Sequence, residues 1–158
     1  MGCGSSIHPF SISKDATYRL WSPVSKMGDG VMKRHPTENK VFCDGTFKEP
    51  DDNTTMKMEV KPQGTNNPHC FALLFKDEDK QYALKRNGNE ITTEEKDKIH
   101  DKSHLFESQG FGGFRILKLF EEELYLGCDH TGEVTLVENP FLLYPNPQTL
   151  FILYKVRY

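Results

Sequence analysis

Several short stretches carry residues whose types and spacing could do chemistry. Met1-Gly2-Cys3-Gly4-Ser5-Ser6 fits the myristoylation pattern, with Gly2 freed by removal of Met1 and Ser6 at the required place. Cys3 is placed to take palmitate, and two acyl chains hold a protein on a membrane where one gives only marginal binding. A plain serine-rich tail is the alternative. Asp15-Ala16 puts an acidic residue before a small one just ahead of the first expected strand. An aspartate-specific protease could cut there, and otherwise Asp15 is a polar linker residue. Arg19 and Trp21 alternate with Tyr18 and Leu20, so on a strand the two pairs face opposite ways. If Tyr18 and Leu20 point inward, the only tryptophan of the chain points outward beside an arginine, the composition of a binding hot spot. The alternative is an indole covered by neighbouring loops.

Constellations that would suggest catalysis fail on spacing. His100 and His104, with Asp97 and Asp101 close by, would align a metal site on a helix, but Glu94–Lys98 reads as a solvated charged loop. Cys128-Asp129-His130 sets a thiol beside an imidazole in sequence only, and adjacent residues on a strand face opposite sides. Gly110–Gly113 lacks the helix and the Lys-Ser/Thr of a phosphate loop and reads as a connection. The expectation is a non-enzymatic protein with no cofactor and no metal.

The elements that must position these residues come from an internal repeat. Residues 71–95 reappear in outline at 114–138, pairing Phe71 with Phe114, Leu74 with Leu117, Tyr82 with Tyr125, Ile91 with Val134 and Glu95 with Glu138 at a constant step of 43. A period of that size means one supersecondary unit used more than once. Within each copy the pattern is of short strands rich in branched and aromatic residues, separated by turns. Asn87-Gly88 and Asp129–Gly132 stand at matching hairpins, and each copy has an acidic turn before its hairpin. Tyr18–Trp21, Gly28–Lys33, Lys40–Cys43 and Thr55–Val60 supply a looser first copy. Three four-stranded units predict an all-β β-trefoil of twelve strands with pseudo-threefold symmetry, residues 17–158, behind a tail at 1–16. An open sandwich of similar hairpins is the competing architecture. Leu74, Leu117, Ile91 and Val134 are expected in one core, with Leu126.

The 158 residues suffice for a core without disulfide staples, and Cys3, Cys43, Cys70 and Cys128 show neither zinc spacing nor disulfide density. A net charge of −3 with interspersed signs argues against a nucleic-acid partner. Neither a signal peptide nor an apolar run of membrane-spanning length is visible, so synthesis in the cytosol is expected and Asn53-Thr54-Thr55 is read as an unused sequon.

From Tyr18 onward the chain resembles the interleukin-1 family of β-trefoil cytokines. Tyr18-Arg19-Leu20-Trp21 is similar to the opening strand of several members, Thr55–Val60 with Cys70–Glu95 to the middle repeat, and Leu124–Cys128, Glu133–Glu138 and Thr149–Val156 to the closing strands. Phe106-Glu107-Ser108 matches a family tripeptide by letters but lies one strand early in this alignment. The resemblance implies a monomeric cytokine or receptor antagonist that leaves the cell without a leader and binds an interleukin-1-type receptor. On that implication Trp21, and with it Arg19, faces the receptor, and Asp15 is an activating cut. The competing class is an acylated trefoil on the inner membrane face, anchored through Gly2 and Cys3 and binding cytoskeletal or signalling proteins. A carbohydrate-binding trefoil is the third class, and it requires a similar pocket in each repeat, whereas Trp21 has no counterpart in the other two.

Overall fold

The computed structural model describes residues 13, 16–48, 52–138 and 144–156. Within them lie twelve strands and two single turns of 3-10 helix. The first lobe holds β1 (Tyr18–Trp21), β2 (Val31–His35), β3 (Lys40–Gly45) and β4 (Met56–Val60). The second holds β5 (Phe71–Asp77), β6 (Lys80–Asn87), β7 (Glu90–Glu95) and β8 (Phe106–Phe111). The third holds β9 (Phe114–Leu119), β10 (Tyr125–Cys128), β11 (Val134–Val137) and β12 (Ile152–Lys155). The alternation that predicts strands is kept in β1, where Tyr18 and Leu20 are buried while Arg19 and Trp21 are half-buried.

Six strands close on themselves. β4 pairs β5, β8 pairs β9 and β12 pairs β1, while single pairs Tyr18 with Met56, Phe71 with Phe106 and Arg115 with Phe151 join the first and last strand of each lobe. The ring β1–β4–β5–β8–β9–β12 is therefore a barrel without a free edge. The hairpins β2–β3, β6–β7 and β10–β11 gather against one another, with the Thr93 N–H donating to the Asn39 carbonyl at 2.8 Å and the Cys43 N–H to the Gly132 carbonyl at 2.7 Å. Twelve strands in three such lobes are a β-trefoil, and the sandwich is excluded.

Those three within-lobe pairs also fix the true phase of the repeat. Met56, Phe106 and Phe151 hold equivalent places, and so do Tyr18, Phe71 and Arg115. Moving along the strands brings Leu20, Leu73 and Leu117 level, all in the central cluster. The step between β5 and β9 is thus 44, not 43, and Leu74 is not the counterpart of Leu117: it packs outside the barrel with Ala72, Ala83 and Leu105. After the following turn the step falls to 42, from Leu84 to Leu126, and only at Ile91 and Val134 does 43 hold. Because Leu73 and Leu74 are both apolar, a slip by one residue is invisible in the letters although it reverses the face of every side chain. A second correction concerns Gly110–Gly113: Gly110 and Phe111 belong to β8, and only Gly112-Gly113 turn the chain into β9.

Leu117 and Leu126 are 1% and 0% exposed in the central cluster. Truncating either to Ala is expected to cost roughly 2–5 kcal/mol by urea denaturation, the range for buried leucines. An unchanged midpoint would contradict the strand phase given above.

Candidate functional site

Two cavities stand at places related by the repeat. In the second lobe β5 turns into β6 through Glu78-Asp79, and in the third β9 turns towards β10 through Glu121-Glu122. Glu78 and Glu121 both sit in the left-handed region, at φ of 57° and 64°. A non-glycine residue there costs on the order of 1 kcal/mol or more, so its recurrence in two lobes is a conserved feature of the turn geometry within this chain. Each turn faces the segment that leads into the last strand of the preceding lobe. The cavity of the second lobe, about 400 Å³, is lined by Glu78, Asp79 and Lys80 on the turn and by Asp52, Thr55 and Lys57 opposite, with the buried Leu74 and Met56 beneath it. That of the third lobe, about 300 Å³, has Glu121 and Glu122 on the turn, Asp101, Lys102 and Ser103 opposite, Phe120 as apolar surface over the buried Leu119, and Arg86 at the side.

The third-lobe cavity is the better organised of the two. Its walls are tied by backbone: the Arg86 N–H donates to the Ser103 carbonyl at 2.9 Å and the Phe120 N–H to the Leu105 carbonyl at 3.0 Å. Arg86 Nη1 meets Glu122 Oε1 at 3.0 Å while its Nε–H donates to the Gly88 carbonyl at 2.7 Å. The Lys102 ammonium lies 5.5 Å from the centroid of the Phe120 ring and 3.7 Å from Glu121 Oε1. The Asp101 carboxylate accepts hydrogen bonds from the hydroxyl and the backbone N–H of Ser103, which hold its carboxyl below the usual range. The result is an aromatic face rimmed by both donors and acceptors, most of them fixed by one another. Such a cavity fits a ligand with an apolar face and many hydroxyls.

The first lobe breaks the pattern. Its corresponding connection is the long stretch 22–30, closed down by hydrogen bonds within itself and to the third lobe: the Ser22 hydroxyl accepts from Val24 and Ser25 N–H, and the Lys26 N–H donates to the His130 carbonyl. Trp21 helps to hold it, since its indole N–H donates to the Asp29 carbonyl at 2.7 Å and the ring lies against Gly30. By register Trp21 stands level with Leu74 and Lys118, so it has no aromatic counterpart. Arg19 donates to the Phe47 carbonyl at 3.2 Å and faces Tyr154 across β1 and β12, and Tyr154 meets Phe47 edge to face at 5.5 Å. Arg19 and Trp21 thus share a strand but engage different loops. Gly2, Cys3 and Asp15 lie outside the described residues.

His100 and His104 follow a single 3-10 turn at Lys96–Lys98 rather than an α-helix, and no group of three metal-ligating side chains occurs among the described residues. Burial lowers the His104 pKa, favouring the neutral imidazole. Cys128 is buried in the central cluster with its thiol donating to the Asp129 carbonyl at 3.4 Å, while His130 is exposed. The cavity pair was hidden in the sequence. The acidic turns are visible as a repeated element, but only the fold brings Asp52 and Asp101 opposite them.

No protein-family model and no curated protein sequence matches the chain. Solved structures do. One described as SeviL bound to asialo-GM1 saccharide aligns with a TM-score of 0.61 at 12% identity, covering 90% of this chain and 98% of that one. A second, a BEL beta-trefoil, gives 0.66 at 15% identity over 92% and 97%. A GlcNAcα1-4Gal releasing endo-β-galactosidase from Clostridium perfringens gives 0.63 at 13% identity over 90% of this chain, which spans 33% of the enzyme chain. These likenesses support the β-trefoil and not the interleukin-1 family. They also correct the expectation of a cytokine or antagonist bound to an interleukin-1-type receptor, and its alternative of an acylated trefoil holding cytoskeletal or signalling proteins. The partner named in the first of these structures is a saccharide, and the Trp21 indole, the centre of the receptor reading, spends its N–H on closing its own loop.

Proposed function

We propose that this β-trefoil binds glycans without transforming them, with the Phe120 cavity of the third lobe as its principal site. The observation that carries the reading is the recurrence of a cavity beside an acidic left-handed turn in two lobes, with an aromatic face added in the third. A pyranose offers C–H groups on its faces and hydroxyls at its rim. Phe120 suits the first, and Asp101, Lys102, Arg86 and Glu122 suit the second. The saccharide held by one similar structure supports the same ligand class. Binding is favoured over hydrolysis because a glycosidase needs a carboxyl whose pKa is raised to serve as general acid. Asp101 is shifted the other way by its bonds to Ser103.

A glycan array followed by calorimetry with the strongest hit tests the proposal. Phe120→Ala is expected to weaken binding roughly 10-fold, about the 1.4 kcal/mol that an aromatic platform supplies. Phe120 also packs against the outer cluster, so Lys102→Met, which keeps the aliphatic stem, is the variant that leaves the fold intact. Absence of any array signal, or undiminished affinity in both variants, would reject the site.

A further inference from the structure

The β6–β7 hairpin turns through Gly88 and Asn89, between Asn87 and Glu90, which face each other across the two strands. Asn87, Gly88 and Asn89 are all exposed. Gly88 sits in the left-handed region at φ 64°, as the first central residue of a two-residue hairpin turn does. No other atom of the described residues comes within 4 Å of where its Cβ would stand. Asn87-Gly88 is the only Asn-Gly step of the chain. Bonding the Asn87 carboxamide carbon to the Gly88 nitrogen would close a succinimide ring, and glycine, lacking Cβ, leaves that approach unobstructed. The turn is also tied to the third-lobe cavity through Arg86. That side chain donates through Nε–H to the Gly88 carbonyl at 2.7 Å and meets Glu122 Oε1 at 3.0 Å, while its backbone N–H donates to the Ser103 carbonyl at 2.9 Å.

We propose that Asn87-Gly88 is a self-modifying site, converting in water to aspartate and isoaspartate, and that the isoaspartate form loosens Arg86 at the wall of the third-lobe cavity. The Gly88 nitrogen gives up its proton and attacks the Asn87 carboxamide carbon. The new C–N bond forms, the bond to the side-chain nitrogen breaks, and that nitrogen leaves as ammonia with the proton. Water then opens the succinimide. Cleavage at the side-chain carbonyl gives aspartate, and cleavage at the main-chain carbonyl gives isoaspartate, in which the backbone runs through the side-chain carbon. One water is consumed for each ammonia released, and nothing is oxidised or reduced. Either product sets a carboxylate opposite Glu90, an unfavourable like-charge pair across two strands. Isoaspartate alone lengthens the backbone, and so it alone displaces the Gly88 carbonyl from Arg86 Nε. Asn89 is the internal contrast, because it shares the exposure but precedes Glu90, whose side chain crowds the same attack.

The test holds the full folded chain in mildly alkaline buffer at body temperature for as long as the urea-unfolded chain needs to convert most of its Asn87. Digestion and mass spectrometry then read each asparagine, and an isoaspartate methyltransferase marks the rearranged product. The expected result is at least tenfold more product at Asn87 than at Asn89. Gly88→Asn places a residue that tolerates the left-handed region into the open space, so it keeps the turn and should cut conversion at Asn87 at least tenfold. Once the two products are separated by chromatography, the Arg86 amide should exchange hydrogen at least tenfold faster in the isoaspartate form than in the aspartate form. An unconverted Asn87 in the folded chain, or equal conversion at Asn89, overturns the site. Equal exchange at Arg86 in the two forms overturns its link to the cavity.

Discussion

Phe106→Ala is expected to destabilise the protein by roughly 3–5 kcal/mol, the range for a buried aromatic. The residue opens β8, is 0% exposed and sits at the one point where the first and last strands of the second lobe meet, opposite Phe71. Its ring lies 6.4 Å from that of Phe71, and Leu119 stands across from it on β9. With Met56 and Phe151 it forms the threefold layer of the barrel, and each of the three is 1% exposed or less. A void there cannot be filled by a neighbour, because the surrounding residues are themselves fixed by the closed ring. Phe111, on the same strand but 39% exposed, is the control, and Phe111→Ala should change stability by no more than about 0.5 kcal/mol. Equal urea midpoints for the two variants would mean that Phe106 is not part of the core.

The contrast between these phenylalanines shows what the letters carry and what they leave out. Alternation was enough to place Tyr18–Trp21 as a strand and to put Leu117 and Leu126 inside, because one buried face imposes a period of two. It could not fix the phase between copies, since Phe71–Phe75 is apolar at every position, buried on both faces by the barrel interior and the outer cluster. Nor could it find contacts that exist only after closure. The bridge between Phe42 and Glu133 joins the first lobe to the third across residues that nothing in the spacing relates. The two cavities left a stronger trace in Glu78-Asp79 and Glu121-Glu122, whose recurrence was legible as a turn but not as a site. The receptor reading came from resemblance along single strands, and strand letters describe a core that any β-trefoil needs.

Asp77→Ala is expected to cost about 3 kcal/mol although Asp77 is a 44% exposed side chain on a strand end. The reason is its partner. Arg34 on β2 is 2% exposed, with Nη1 at 3.1 Å from Asp77 Oδ2, Nε–H donating to the Thr93 hydroxyl at 3.4 Å and its guanidinium carbon 3.8 Å from the centroid of the Tyr82 ring. It joins the first lobe to the second, and its own N–H donates to the Asn53 carbonyl at 2.8 Å. Removing Asp77 leaves a buried cation with a stacking face and one weak acceptor, and the desolvation already incurred is no longer offset. Arg34→Met, by contrast, removes the charge and keeps most of the shape, while Asp77 can be hydrated at its exposed edge; about 1 kcal/mol or less is expected. The order Asp77→Ala worse than Arg34→Met separates an unpaired charge from lost packing. In the double variant the Asp77 change should add almost nothing to Arg34→Met, because the charge it served is gone. Chemical denaturation of the three proteins decides it: if Arg34→Met proves the more damaging single change, packing rather than charge pairing holds this seam together.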